Sequence, residues 1–236
     1  KVMPRQGYSG SLEERGQEAI IIFHHGEGKT ATEDLILKIQ VVGDAREFAW
    51  IVPFPNKPKI SKESPRLFKE LYRYVNFRKQ PRYVRSNATG SEKSPAPPVD
   101  KKVQVLSRET VGDFDITVVK ETAAGGLNPW LKKEGFQELE NAEDVLDFYR
   151  QKNYVYACIK VTRKAIAKAA AEKKKTTRPR RNRPGRRFVK PANRFQTHPL
   201  RFTFKTGGTD AAYFPMKLTG LQKDRFDVNL YVFYRY

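Results

Sequence analysis

The chain has 236 residues, of which 46 are Lys or Arg and 26 are Asp or Glu, so its formal net charge is +20. This charge argues against a near-neutral metabolic enzyme and favours a partner that carries negative charge. A single cysteine, Cys158, excludes an intramolecular disulfide and a zinc site built from cysteines, while 39% hydrophobic residues suffice for a folded core.

Two strands and a hairpin are predicted near the start of the chain. Residues 17–24 form a short β-branched run. Residues 34–42 carry an apolar side chain at every second position, which is the period of a half-buried strand: Leu35, Leu37, Ile39 and Val41. The glycine-bearing sequence HHGEGK between them predicts a hairpin connection.

The next segments predict a third strand and a helix. Residues 48–55 are an apolar run, but Pro53 and Pro55 lack the amide hydrogen that a sheet ladder uses. We therefore expect the strand to end at a sheet edge or to leave the sheet there. Ser64-Pro65 then signals the start of a helix with an apolar stripe: Leu67, Phe68, Leu71, Tyr72 and Val75.

The second half of the chain predicts more strands than helices. Residues 103–106 and 114–120 form a strand pair, Asn128-Pro129 opens a short turn that Gly135 closes, and Asn141 caps a helix over residues 142–152. Further strands are expected at residues 154–161, 200–205 and 225–234. The predicted class is α+β, a mainly antiparallel β-sheet with two or three short helices in one domain over residues 1–236, plus a long basic Arg/Pro-rich arm.

The stretch that contains this arm, residues 163–205, holds three quarters of the excess charge. Residues 163–205 carry 16 Lys and Arg against one acid, Glu172. The composition changes from Ala/Lys-rich to Arg/Pro-rich, so residues 163–197 are predicted to form a basic arm or insertion. A Ser/Pro-rich loop is predicted at residues 86–102. The candidate interaction residues of the arm are Lys173, Lys174, Lys175, Arg178, Arg180, Arg181, Arg183, Arg186, Arg187, Lys190 and Arg194.

Several segments together resemble a known family. The sequences EAIIIFHHGEGKT, FAWIVPFP, VGDFDITVV, NPWLKKEGF, YVYACIKV, HPLRFTFKT and FPMKLTG are similar, in order and spacing, to successive blocks of the bacterial domain-of-unknown-function family numbered 2330. Members are typically exported, so the resemblance implies a periplasmic, outer-surface or extracellular location. A first residue of Lys1 rather than Met agrees with the loss of an export signal. The resemblance implies no activity and no catalytic residues.

Motifs for catalysis and for metal binding do not fit. Gly28-Lys29-Thr30 follows a strand, but a phosphate loop needs glycine where Phe23 stands. The adjacent His24 and His25 point to opposite faces of a strand and cannot ligate one metal from the same side. Cys158 lies in an apolar strand and is expected to be a core residue. We therefore predict no catalytic, cofactor-binding or metal-binding residues.

The acidic and aromatic clusters have simpler interpretations. The carboxylates between residues 134 and 147 are expected to be a solvated face near a helix start. Trp50 and Phe226 are predicted to be packing residues. After Tyr231, aromatic residues stand on both faces of the last strand, which is therefore either covered on both sides or exposes an interface.

These observations leave three functions open. The preferred one is a non-enzymatic exported accessory or structural protein whose arm docks onto acidic protein subunits or an anionic membrane or envelope surface. The second is a nucleic-acid-binding, ribosome-type protein whose Arg/Pro arm contacts phosphates. The third is an envelope enzyme of unrecognised type. The family resemblance favours the first, because an exported protein rarely meets nucleic acid. No transmembrane segment is predicted, because no stretch approaches ~18 consecutive apolar residues.

Overall fold

The computed structural model describes residues 1–26, 30–45, 47–77, 102–162, 166, 194–207, 211–221 and 226–235. These residues form eleven strands: β1 (Val2–Pro4), β2 (Leu12–His24), β3 (Thr32–Gly43), β4 (Phe48–Phe54), β5 (Lys59–Lys62), β6 (Val103–Val111), β7 (Phe114–Glu121), β8 (Val155–Val161), β9 (Arg194–Gln196), β10 (Leu200–Lys205) and β11 (Asp227–Arg235). They also form four helices: α1 (Leu67–Phe77), α2 (Leu127–Lys133), α3 (Glu143–Gln151) and α4 (Met216–Thr219).

The strands are divided between two sheets. In the first sheet the order is β1-β4-β8-β7-β6, and every neighbouring pair is antiparallel. In the second the order is β11-β2-β3-β10-β5, and β9 pairs with β3 beyond the end of β10. Among the described strands, only β11 and β2 run parallel. The predicted α+β class with mainly antiparallel pairing is confirmed, and the described ranges contain four named helices where two or three were predicted.

The two sheets pack face to face around the main hydrophobic core. The predicted apolar row of β3 points into this core, and each member is at most 2% exposed: Leu35, Leu37, Ile39 and Val41. Trp50 and Phe54 of β4 enter it from the first sheet, so the prediction that Trp50 packs is confirmed. Full burial of a large apolar side chain stabilises a fold by roughly 1.5–3 kcal/mol, so this core is the main source of stability.

Helices cover the outer faces of both sheets. On the first sheet lie α2, α3 and α4, each with a buried leucine: Leu127, Leu146 and Leu218. On the second lies α1, whose Phe68 packs against Ile20 and Ile36. The first sheet is therefore covered on both sides, and all seven residues of β4 are buried. None of the helices in the described ranges is long and apolar enough to cross a membrane.

The end of β4 confirms the expectation from its prolines. The neighbouring β1 pairs only with Phe48 to Trp50, whereas β8 follows β4 as far as Phe54. Pro53 therefore has a neighbouring strand on one side only. A proline is tolerated at such a local edge because no ladder bond is missing on the open side.

The predicted start of α1 is confirmed and that of α3 is wrong, while the short turn predicted to open at Asn128-Pro129 is the helix α2. The Ser64 hydroxyl accepts a hydrogen bond from the Arg66 amide (3.3 Å) directly before α1. Gly135 has a φ of +86° just after α2, a conformation that favours glycine. Asn141 does not cap α3, because the residue before the helix is Ala142, which makes no side-chain cap bond. Asn141 has a φ of 51°, which asparagine tolerates, and serves the preceding turn.

The sequence did not predict β1, β5, β9 or α4. Each of these elements has only three or four residues. A periodic pattern cannot develop over so short a stretch. Their conformation is decided by pairing and packing with distant parts of the chain.

Glu121, the last residue of β7, supplies the cap that α2 lacks. Its side chain is buried, and Oε1 accepts hydrogen bonds from the amides of Gly126 (2.7 Å) and Leu127 (3.1 Å). We expect Glu121→Ala to lower the free energy of unfolding by about 2 kcal/mol, because two buried amides lose their acceptor. Glu121→Gln keeps an acceptor oxygen and should cost less than half as much. Urea denaturation measures both losses, and equal losses would contradict the capping role.

Candidate interaction surfaces

Most of the predicted interaction residues lie outside the described residues: Lys173, Lys174, Lys175, Arg178, Arg180, Arg181, Arg183, Arg186, Arg187 and Lys190. The last of the set, Arg194, is the first residue of β9, where it pairs with Val42 of β3. The basic arm therefore ends in the second sheet, because its residues 194–196 form β9. The predicted Ser/Pro-rich loop also lies outside the described residues, apart from Lys102.

The two ends of the basic arm meet at one place on the sandwich. The arm follows β8, whose last residue, Val161, pairs with Phe48 of β4. It leads into β9, where the ring centroid of Phe195 lies 6.1 Å from that of Phe48. Ile166, near the start of the arm, packs against the core between the sheets. The arm thus leaves and rejoins the sandwich beside Phe48.

The described residues are close to electrical neutrality. They include 23 of the 46 Lys and Arg and 20 of the 26 Asp and Glu. The excess positive charge is therefore concentrated in the rest of the sequence, above all in the arm.

The second sheet exposes an apolar edge. In the described part of the chain, β11 pairs with β2 and with no other strand. Four large hydrophobic side chains of β11 are between 42% and 58% exposed: Leu230, Val232, Phe233 and Tyr234. With Tyr231 they form what we call the edge surface. The sequence left open whether this strand is covered or exposes an interface, and in the structure these side chains are exposed.

One face of β11 is exposed because the second sheet extends past the first. Leu230 and Val232 lie beside Ala19 and Ile21 of β2, which are buried between the sheets. Among the strands of the first sheet, β1 has the most extensive contact with β2, and it has only three residues. The apolar row of the core therefore continues onto β11, and no strand within the described residues covers it there.

The opposite face of β11 adjoins α1. Tyr231 is half-buried and packs against the cluster that contains Phe68. Burial raises the pKa of Tyr231, and the nearby Glu18 and Tyr72 add to the effect. Next to it, the solvent side of α1 carries three large side chains that are more than half exposed: Tyr72, Tyr74 and Val75. The apolar surface thus extends from β11 onto the helix.

A pocket of about 310 Å³ lies on the outer face of the first sheet, beside α2. Arg108 and Glu134 form an ion pair of 2.8 Å in its lining. Burial raises the pKa of Glu109, which also lines it. The Cys158 thiol is buried, and its burial raises its pKa well above the ordinary range. Cys158 is thus a neutral core thiol, as expected.

The histidines and the glycine-bearing turn occupy separate environments. His24 Nε2 lies 3.4 Å from Asp34 Oδ2, whereas His25 belongs to the turn after β2. Thr30 is followed by β3 rather than by a helix, as predicted, and Gly28 and Lys29 lie outside the described residues. The described residues contain no group of three or more His, Cys, Asp or Glu that could hold a metal ion.

Comparison with known proteins adds a family and nothing more specific. A family model described as an uncharacterized protein conserved in bacteria matches residues 17–192. No curated protein and no solved structure matches the chain. The match begins within β2 and ends in the basic arm. It therefore includes β4, β6, β7 and β8 of the first sheet but not β1.

Proposed function

The chain belongs to the bacterial domain-of-unknown-function family numbered 2330, and we propose that it is a non-enzymatic, exported accessory protein that docks onto an anionic surface through its basic arm. The surface is an acidic protein subunit or an anionic membrane of the cell envelope. Both present the negative charge that would neutralise the arm.

The separation of charge is the observation that carries this proposal. Residues 173–190 contain ten Lys and Arg and no acid, whereas the described residues are nearly neutral. A segment of like charges repels itself and gains free energy when an opposite charge neutralises it. Six of the ten are arginines, whose guanidinium groups pair with phosphate or carboxylate through two hydrogen bonds.

The place where the arm joins the sandwich supports a partner that is bound by the arm and not by the body. Both of its ends join the sandwich beside Phe48, so an anionic partner held by the arm faces one end of the body. Docking through the arm leaves the hydrophobic core between the sheets, and the packing of the helices on them, unchanged. The body then serves as a rigid carrier for the arm.

We expect the protein to bind vesicles of phosphatidylglycerol, with phosphatidylcholine vesicles as the neutral reference and poly-glutamate as a model of an acidic subunit. Replacing six arginines by glutamine should weaken binding at least about 100-fold, since each basic residue near an anionic surface contributes about 1 kcal/mol. The six are Arg178, Arg180, Arg181, Arg183, Arg186 and Arg187. Co-sedimentation and fluorescence titration measure the two affinities.

A matched control exists elsewhere in the chain. Residues 78–101 also contain six basic side chains, and replacing these by glutamine removes the same charge: Arg78, Lys79, Arg82, Arg85, Lys93 and Lys101. This variant should bind within roughly threefold of the unmodified chain, because a screened charge acts only near the bound surface. Equal losses in both variants would show a general charge effect and would contradict docking by the arm.

The same titration tests nucleic acid as the alternative partner. An RNA oligonucleotide is expected to bind more weakly than the vesicles at the same salt concentration. Tighter RNA binding that weakens steeply between ~50 and ~200 mM salt would replace the proposal with the nucleic-acid alternative. The proposed export is tested separately, by fractionating cells that make the full-length protein. Recovery with the cytoplasmic fraction would contradict it.

A further inference from the structure

We propose that the chain forms a symmetric homodimer in which the β11 strands of two copies pair side by side. The proposed dimer uses the edge surface and not the basic arm. It is therefore independent of the proposed function.

The edge of the second sheet has the features of a pairing site. All nine residues of β11 pair with β2, from Asp227 beside Gly16 to Arg235 beside His24, so the strand is paired along its whole length on this side. The described residues place no strand on its other side. Edge strands of monomers are usually short, carry charged residues, or are twisted by a β-bulge so that another strand cannot pair with them. This one is long, and it is apolar on both faces.

The sequence of β11 is complementary to itself. In an antiparallel pair centred on Tyr231, Asp227 faces Arg235, Val228 faces Tyr234, Asn229 faces Phe233 and Leu230 faces Val232. An acid then faces a base at both ends, and apolar side chains face each other near the centre. Shifting the register by one residue would place both charges opposite other residues. The charge pattern therefore specifies a second copy in this register.

The backbone fits the same register. In a strand, alternate residues direct their N–H and C=O groups to one side, so half of the residues of β11 direct these groups away from β2. The proposed register pairs odd-numbered residues with odd-numbered ones and even with even. Whichever set faces outward meets the same set of the second copy, and a complete ladder of hydrogen bonds forms.

The dimer covers the apolar side chains that the monomer exposes. Leu230 and Val232 meet across the two-fold axis on the core side, where the apolar row extends past the first sheet. Tyr231 meets its own copy on the opposite face. The two α1 helices lie on that face too, with Tyr72 near Tyr231. The result is one continuous sheet across both copies.

A charge-reversal cycle tests the register. Sedimentation equilibrium of the full chain gives the dissociation constant of the dimer. D227R and R235D should each weaken it roughly 10-fold or more, because opposite charges become like charges at both ends of the pair. The double variant D227R/R235D should restore it to within about threefold, since the opposite charges are only exchanged. E138R, which changes an exposed acid outside β11, controls for net charge.

Disulfide trapping tests the same geometry without any change of charge. Y231C should form an intermolecular disulfide, because directly opposed Cβ atoms lie ≈ 4.5–5.5 Å apart. D227C should not, because the two copies of this residue are eight positions out of register, or about 27 Å apart. The unmodified chain, with Cys158 buried, gives the background.

Three results would overturn the proposal. One is an unmodified chain that stays monomeric at about 100 μM, a concentration at which even a weak dimer forms. Another is a dimer whose dissociation constant does not respond to the charge-reversal cycle. The third is the absence of trapping by Y231C. Each of these results would mean that the edge surface is covered by another segment of this chain or by a different protein, and not by a second copy.

Discussion

Replacing Phe54 by alanine is expected to lower the free energy of unfolding by about 4 kcal/mol. Phe54 is the last residue of β4 and is fully buried between the two sheets. Its ring centroid lies 4.8 Å from that of Phe202 and 5.2 Å from that of Phe204, both in β10 of the second sheet. Truncation removes the contact that joins the sheets here and leaves a cavity. The strands around it cannot collapse without breaking their ladders.

The loss is measurable by urea denaturation or as a fall in melting temperature of about 8–16 °C. Tyr74→Ala is the matched control, because it removes an aromatic ring that is 55% exposed on α1. The control should change stability by less than about 1 kcal/mol, as surface substitutions usually do. Similar losses in both variants would contradict the proposed packing between the sheets.

The sequence predicted strands best where one face is buried and the other is not. β3 alternates because its apolar row faces the core while Asp34 and Lys38 stand on the other face. β4 does not alternate because sheet and helices cover both of its faces. Its prolines nevertheless predicted where it ends, because they constrain the backbone directly. Local physical rules were therefore sufficient for these elements.

The division into two sheets could not be predicted in the same way. Alternation shows which side chains are buried but not which strand is the neighbour. β11 pairs in parallel with β2, although the two strands lie at opposite ends of the chain. Such a pairing leaves no periodic mark in either segment. It depends on the packing of the whole sandwich.

The candidate surfaces were predicted unequally. Composition was enough to identify the basic arm, because a run of like charges cannot enter a core. The edge surface was predicted only as one of two alternatives, from aromatic residues on both faces of the last strand. The choice depended on the order of the strands and on the short length of β1, which leaves Leu230 and Val232 uncovered.

A buried carboxyl group that the sequence did not predict makes stability depend on pH. Glu33 lies on the core face of β3 and is fully buried. Its carboxylate accepts a hydrogen bond of 2.6 Å from the amide of Tyr213, whose hydroxyl donates to the carbonyl of Pro53. Burial raises the pKa of Glu33 to about 7; the charge of Asp34 adds to the rise, and the bond from Tyr213 opposes it.

The folded protein therefore holds this proton more tightly than the unfolded chain does. The ordinary pKa of the group is 4.5, so between pH 4.5 and pH 7 the unfolded chain releases a proton that the folded protein keeps. Stability is highest below the lower value and falls as the pH rises through the higher one. A shift of this size corresponds to about 3 kcal/mol, and the full loss is present above pH 7.

Glu33→Gln is expected to remove this dependence, because the amide oxygen still accepts from Tyr213 and no charge forms in the core. Urea denaturation at pH 5 and pH 8 should show the variant gaining about 3 kcal/mol relative to the unmodified chain at the higher pH. Glu138→Gln, which removes an exposed carboxylate, controls for net charge and should change in parallel with the unmodified chain. If the free energy of unfolding of Glu33→Gln also changed with pH in parallel with that of the unmodified chain, Glu33 would ionise in the folded core without cost. The end of the sandwich under Tyr213 would then have to be open to water.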